Sequence, residues 1–212
     1  QMCIRDRMTE IKKRPLKWLF TRLCLQSKIV LTMTGLLILC GAVGFFLLEF
    51  NNPETMGDMN LLEKMTASLF QSVTTRTAGF ATVPQGDLRE SSKLLGCMLM
   101  FIGGSPAGTA GGVKTTTIAM LLLTVLCVLK NKRDTECFAR KIDNNIVRSG
   151  ITITMITLIF LMSGITALTI FEPGIDFLDL TYEAASAMGT VGLTADLTPC
   201  LLYTSPSPRD RQ

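Results

Sequence analysis

The chain has 212 residues, of which 48% are hydrophobic, and its formal net charge is +4. Its mean hydropathy is +0.38, and the apolar residues occur in long blocks, which excludes an ordinary soluble domain and is typical of membrane spans. Because histidine is absent, the chain lacks the commonest general base and metal ligand. The seven cysteines show no paired spacing of a zinc site or redox motif. We therefore expect neither an enzyme nor a bound cofactor.

The two ends of the chain read unlike the rest. Residues 1–7 read QMCIRDR, and residues 200–212 read CLLYTSPSPRDRQ. Both resemble translated sequencing adapter, so we interpret them as artefacts and leave them out of the fold argument. Ordinary tails are the alternative. On this interpretation the native sequence covers about residues 8–199.

The segment of residues 8–28 is rich in Lys and Arg and directly precedes an apolar run. By the positive-inside tendency this segment is cytoplasmic. A nucleic-acid patch is the alternative, but basic residues beside a span are more often topology signals, so no nucleic-acid partner is expected. Residues 29–48 follow as the first span, since a membrane core needs about 20 helical residues. Residues 49–60 contain acidic residues but no Lys or Arg. By the same tendency we place them on the outer side of the membrane.

A short helix and a polar loop come next. Residues 61–73 predict a helix of under about 20 Å, which is too short to cross a membrane. The segment that follows, TTRTAGF, is polar and lies between two apolar segments. Irregular backbone at membrane depth is tolerated only where it is buried in protein or lines water, and ion filters use backbone carbonyls in this way. We therefore predict a re-entrant loop that supplies one quarter of a cation filter, with the negative end of the short helix favouring the ion.

The apolar residues 94–129 are interrupted by GGSPAGTAGG at residues 103–112. Five glycines and one proline in ten residues do not hold a regular helix. The pattern predicts two half-helices joined by an unwound loop that acts as a movable barrier beneath the filter. A phosphate-binding loop is the alternative, but Val113 separates Gly112 from Lys114, so the required spacing fails. Lys114 is then a pore-facing, packing or interfacial charge.

The order of basic segment, span, acidic turn, short helix and Thr/Gly loop occurs a second time. Residues 130–148 predict a second cytoplasmic linker, and residues 149–199 a partial second repeat. Within it, residues 151–171 form a span, residues 180–188 a short helix, and GTVGLT a second loop. Gly192 lies 113 residues (192 − 79) after Gly79. A ring that consists of only two such units would not close around a pore.

Three motifs carry a family resemblance: TTRTAGF at residues 74–80, FIGGSPAGTAGGVKTTT at residues 101–117, and GTVGLT at residues 189–194. At these motifs the sequence resembles the Trk/Ktr/HKT superfamily of potassium transporters. The resemblance implies an all-α membrane protein of four repeated units, each a membrane helix, a re-entrant pore helix with filter loop, and a second membrane helix. Residues 29–129 then correspond to a complete third unit, whose second helix is broken by the glycine-rich loop. The partial repeat of residues 149–199 corresponds to part of the fourth unit.

The resemblance also implies roles for residues and partners. The filter residues would be Thr77, Ala78, Gly79, Thr190, Val191 and Gly192, which bind potassium through backbone carbonyls. The gating-loop residues would be Gly103, Gly104, Ser105, Gly108, Thr109, Gly111 and Gly112. It further implies a multi-pass protein of the bacterial plasma membrane, a homodimer, and a cytosolic nucleotide-binding regulatory subunit. Some family members are coupled to sodium.

Two charged residues near the loops need separate interpretations. We expect Arg76 to point away from the ion path and to pair with an acid or a helix C-terminus. For Glu183 we favour a structural role over that of an outer attractant for cations, since intramembrane acids usually pair. A secondary transporter of another small ion or anion is the alternative function, with helix N-termini near the glycine loop as its binding site.

Overall fold

The computed structural model describes residues 25–57, 59–76, 78–105, 111–130, 136–137, 140–141, 144–172 and 174–195. The two terminal segments interpreted as artefacts lie outside these residues, as does most of the basic segment of residues 8–28. Those interpretations therefore stay predictions.

Six helices contain most of the described residues. They are α1 Leu25–Glu49, α2 Leu61–Thr74, α3 Glu90–Phe101, α4 Thr115–Leu129, α5 Asn144–Phe171 and α6 Phe177–Gly189. Between α4 and α5 lies a small antiparallel hairpin of β1 Glu136–Cys137 and β2 Arg140–Lys141. The predicted all-α architecture is confirmed, with this hairpin as its one addition among the described residues.

Several helices begin earlier than the sequence predicted, and the two candidate spans show this most clearly. Helix α1 begins at Leu25 rather than at residue 29, and α5 begins at Asn144 rather than at residue 151. Residues 144–150 therefore belong to a helix and not to the predicted linker of residues 130–148. The reason is that hydropathy marks the apolar part of a span, whereas the helix continues into its polar flank, where its backbone bonds are still formed.

Helices α1 and α5 contain the candidate membrane spans. The apolar stretches Ser27–Glu49 and Ile146–Phe171 have mean hydropathies of 2.3 and 2.1. Only 17% and 6% of their most apolar windows are buried in the protein. The central helix of a soluble protein would be mostly buried, so this exposure of apolar side chains indicates helices that face lipid.

The packing places α1 and α6 at the centre of the contacts. Helix α1 packs against α2, α3 and α4, while α6 packs against α3 and α5. The largest buried apolar cluster lies between α3, α6 and the chain that follows α6. Its members are Cys97, Met100, Tyr182, Ala185, Val191, Leu193 and Ala195. This cluster therefore supports the backbone of the second Thr/Gly loop from behind.

Polar contacts join helix ends at the side where α1 finishes. The fully buried carboxylate of Glu49 accepts hydrogen bonds from Asn52 Nδ2 at 2.6 Å and Thr55 Oγ1 at 2.6 Å. It also accepts one from the backbone N–H of Arg89 at 3.1 Å and one from the hydroxyl of Ser92. Since the last two residues flank the start of α3, Glu49 ties the end of α1 to the beginning of α3.

Candidate functional site

The first loop, residues 75–80, follows the C-terminus of α2. The backbone N–H groups of Ala78 and Gly79 donate to the carbonyl of Thr74 at 3.2 and 3.4 Å. The side chain of Thr74 also donates to Phe80 O at 2.6 Å and accepts from Phe80 N at 2.9 Å. Gly79 has a φ of +73°, a conformation that glycine adopts without steric cost. The predicted filter residue Thr77 lies outside the described residues.

The second loop, residues 190–195, follows the C-terminus of α6. Thr190 has a φ of +53°, which is unusual for a β-branched residue. The N–H of Val191 donates to Ser186 O at 2.9 Å. Gly192, which the sequence aligns with Gly79, also has a positive φ, +87°. Both loops thus leave their short helices with a glycine in the left-handed region.

Glu183 holds the second loop in shape. Its carboxylate accepts hydrogen bonds from the hydroxyl of Thr194 and from the backbone N–H of Ala195, the latter at 3.0 Å. The carboxylate therefore links α6 to the far end of the loop. These bonds support the structural role of Glu183.

The two loops lie against each other. A Cβ atom built on Gly79 would lie 2.2 Å from the carbonyl oxygen of Val191 and 3.8 Å from the Cα of Gly192. No side chain fits in that space. The structure therefore brings together the predicted residues Gly79, Val191 and Gly192, and places bare backbone of one loop beside a carbonyl of the other.

The glycine segment, residues 103–112, lies between the end of α3 and the start of α4. Its two ends are paired, since Val113 N donates to Phe101 O at 3.0 Å and Thr115 N donates to Gly104 O at 3.2 Å. A Cβ atom on Gly103 would lie 1.9 Å from the carbonyl oxygen of Gly111. The chain therefore leaves α3 and returns to nearly the same point. The predicted gating residues Gly108 and Thr109 lie outside the described residues.

The glycine segment contacts both loops. From the second loop, Thr190 Oγ1 accepts a hydrogen bond from Gly111 N at 2.8 Å. From the first loop, the guanidinium of Arg76 donates to Gly103 O at 3.5 Å and to Thr34 O of α1 at 3.3 Å. The first of these carbonyls lies just beyond the C-terminus of α3. The expected helix-end partner of Arg76 is therefore present.

The segment before Lys114 also bears on the phosphate-binding alternative. Helix α3 precedes the glycine segment, and Lys114 is the residue immediately before α4. A phosphate-binding loop of that type follows a strand. The structural context therefore gives the phosphate-binding alternative no support.

A buried network near the loops was not predicted from the sequence. It consists of Gln71 on α2, Gln85 on the chain after the first loop, and Tyr182 on α6, each at most 2% exposed. The sequence does contain a signal for it, because two glutamines and a tyrosine occur close to apolar helices. Polar side chains that are buried there require hydrogen-bond partners. Their pairing joins residues 97 positions apart, which no local pattern reveals.

The long apolar helices α1 and α5 and the short helices between them define a helical membrane protein. A family model described as TrkH, cation transport protein, matches residues 4–197. The chain belongs to the TrkH family of cation transport proteins.

Curated relatives agree with this assignment. The Ktr system potassium uptake protein B of Bacillus subtilis is 40% identical over 180 residues, which cover 85% of this chain and 40% of that protein. The potassium/sodium uptake protein NtpJ of Enterococcus hirae is 35% identical, with the same two coverages. The Ktr system potassium uptake protein B of Vibrio alginolyticus is 35% identical over 84% of this chain and 39% of its own length. The chain thus spans about two fifths of these relatives, which are transporters. The prediction that it is not an enzyme is confirmed.

Proposed function

We propose that this chain forms part of a pore that moves potassium across a membrane. The ion would lose its water to backbone carbonyls of residues 77–79 in the first loop and residues 190–192 in the second. The relatives named above are potassium uptake proteins, and a polar backbone loop is the way in which a protein replaces an ion's hydration shell.

The observation that carries the proposal is the meeting of the two loops at Gly79 and Val191. Each loop begins where a short helix ends, and the C-terminal end of a helix carries partial negative charge that favours a cation. The helices α2 and α6 have 14 and 13 residues, so both are too short to cross the membrane. Two helix ends directed at one place would stabilise an ion there.

The glycine segment is proposed as the movable barrier next to these loops, with the gating residues Gly103, Gly104, Ser105, Gly108, Thr109, Gly111 and Gly112. Its contacts with Arg76 and Thr190 support this role, because a barrier must be held in its closed position by bonds that are weak enough to break. A neutral hydrogen bond contributes only about 0.5–1.5 kcal/mol and one to a charged group about 1.5–3 kcal/mol, so one bond of each kind fits a segment that opens.

Further units would complete the pore. One face of α2 exposes apolar side chains at helical spacing, namely Leu62, Met65, Leu69 and Val73. This face fits a neighbouring unit of the same kind, in a ring to which this chain contributes the third unit and part of the fourth. The proposal extends to a homodimer in the bacterial plasma membrane and to a cytosolic nucleotide-binding regulator, since two of the relatives are named as members of a Ktr system.

The alternative of an anion transporter has less support. It needs positive groups that face a substrate, but the guanidinium of Arg76 donates to two backbone carbonyls.

The test is rubidium uptake by a chimera in which this chain replaces its matching segment in the Bacillus subtilis relative, expressed in cells without other potassium uptake. Gly79→Ala should abolish most uptake, because the new methyl group would occupy the place of the Val191 carbonyl oxygen. The matched control is Gly164→Ala in α5, where an added Cβ meets nothing within 4 Å. Uptake by Gly79→Ala equal to that of the control would contradict the proposal.

A further inference from the structure

The buried network of Gln71, Gln85 and Tyr182 connects the two loops that this chain contributes to the proposed filter. Gln71 lies on the helix that leads into the first loop, Gln85 on the chain that leads out of it, and Tyr182 on the helix that leads into the second loop. Their exposed fractions are 0%, 2% and 0%. None of the three belongs to the predicted filter or to the glycine segment.

Every polar atom of the Gln85 amide is used. Its Oε1 accepts from Gln71 Nε2 at 2.6 Å and from the hydroxyl of Tyr182 at 2.8 Å. Its Nε2 donates to Val83 O at 2.6 Å and to Gln71 Oε1 at 3.3 Å. An amide offers two donors and two acceptor positions, so this side chain is fully satisfied and held in one position.

The carbonyl of Val83 fixes the direction of these bonds. Since a backbone carbonyl only accepts, the Gln85 atom that faces it must be Nε2, and the other end of the amide must be Oε1. The hydroxyl of Tyr182 must then donate, and Gln71 must present its Nε2. The network therefore has one consistent arrangement.

Packing fixes the ring of Tyr182. A Cβ atom on Gly96 would lie 3.1 Å from the Cε2 of Tyr182, so the ring lies directly against α3. The ring also belongs to the buried cluster that contains Val191 and Leu193 of the second loop. The hydroxyl thus joins Gln85 to a side chain that packs against the second loop.

We propose that Gln71, Gln85 and Tyr182 are positioning residues that set the spacing between the two loops and thereby the preference for potassium over sodium. The inference rests on the proposed function. Selectivity in a carbonyl filter depends on the size of the site or on the number of carbonyls around the ion, and both depend on how the loops are placed. A fully satisfied buried network restricts that placement.

The test compares two hydroxyl deletions on α6 in the same chimera. Tyr182→Phe removes the bond to Gln85 and keeps the ring. The matched control is Thr181→Val, because the hydroxyl of Thr181 bonds only within its own helix, to Phe177 O at 2.8 Å. The measurement is the ratio of sodium to rubidium uptake. We expect Tyr182→Phe to raise this ratio about twofold to tenfold, the range that one hydrogen bond spans, and the control to leave it unchanged.

A second variant tests the same inference if Tyr182→Phe does not accumulate in the membrane. Gln71→Met removes the other donor to Gln85 Oε1 with little change in volume, and it should raise the ratio in the same direction. When both variants accumulate, the double variant should change the ratio by less than the product of the two single effects, because the residues act as one network.

The outcomes separate this inference from the proposed function. An unchanged ratio in whichever network variant accumulates, with Gly79→Ala still inactive, overturns the positioning role and leaves the filter intact. Equal losses of rubidium and sodium uptake also overturn it, since a merely structural role predicts that result. Full uptake by Gly79→Ala overturns the proposed function itself.

Discussion

The two loops look alike in sequence but are held in different ways. In the first loop, Thr74 at the end of the preceding helix bonds both backbone groups of Phe80. In the second loop, Glu183 reaches from the middle of its helix to the far end of the loop. A Cβ atom on Gly79 would strike Val191 O, whereas one on Gly192 meets nothing within 4 Å. Glycine is therefore required for both space and backbone conformation in the first loop, and for backbone conformation alone in the second.

The difference shows that a repeat can preserve a backbone shape while changing its supports. Both glycines have positive φ values, so both backbones need the freedom of glycine. The supports around them differ because each loop meets different neighbours. Substitutions at corresponding positions should consequently have unequal effects.

The largest difference is expected between the two glycines. Gly79→Ala should abolish most rubidium uptake, because it adds both a steric conflict and an unfavourable φ. Gly192→Ala meets only the conformational cost, about 1–2 kcal/mol, and should retain measurable uptake. The comparison is made at equal amounts of chimera in the membrane. If Gly192→Ala is as inactive as Gly79→Ala, the asymmetry between the loops is wrong.

A smaller difference is expected between the two supports. Thr74→Val keeps the shape of a side chain that is 1% exposed but leaves the N–H and C=O of Phe80 without their partner, at a cost of about 1–3 kcal/mol. Glu183→Gln keeps an oxygen acceptor and weakens its bonds by about 1 kcal/mol. Thermal unfolding of the purified chimera should therefore show a larger decrease in Tm for Thr74→Val. Thr66→Val serves as the control, since its hydroxyl bonds within α2.

The smallest effect concerns the contact between the second loop and the glycine segment. Thr190→Val keeps a β-branched shape at the same φ but removes the acceptor of the Gly111 N–H. The loss of about 0.5–1.5 kcal/mol should favour the open position of the segment and raise passive rubidium efflux by about twofold to tenfold. Unchanged efflux would show that this bond does not hold the barrier closed.

The sequence predicted the helices better than the contacts between them. Hydropathy located α1 and α5, and length alone distinguished α2 and α6 as too short to cross. The start of α5 was missed because its first residues, from Asn144, are mostly polar. The positive φ at Gly79 is typical of glycine, whereas the one at Thr190 is not typical of threonine.

The site was predictable only in its local part. Motif spacing identified Gly79 and Gly192, but the contact of Gly79 with Val191 depends on how α3 and α6 pack. The bond between Tyr182 and Gln85 likewise joins distant parts of the chain. Local patterns describe which groups need partners, while tertiary packing decides which partners they obtain.

The carboxylate of Glu49 carries a consequence for motion. Because four donors from two chain segments converge on it, separation of the neighbouring ends of α1 and α3 would remove the two donors that Arg89 and Ser92 supply to a buried anion. In the proposed pore, a rearrangement during ion passage would therefore leave this end of the bundle fixed. Displacement would be concentrated in α4, on the far side of the glycine segment, so that α3 would serve as a stationary frame and α4 as the moving part.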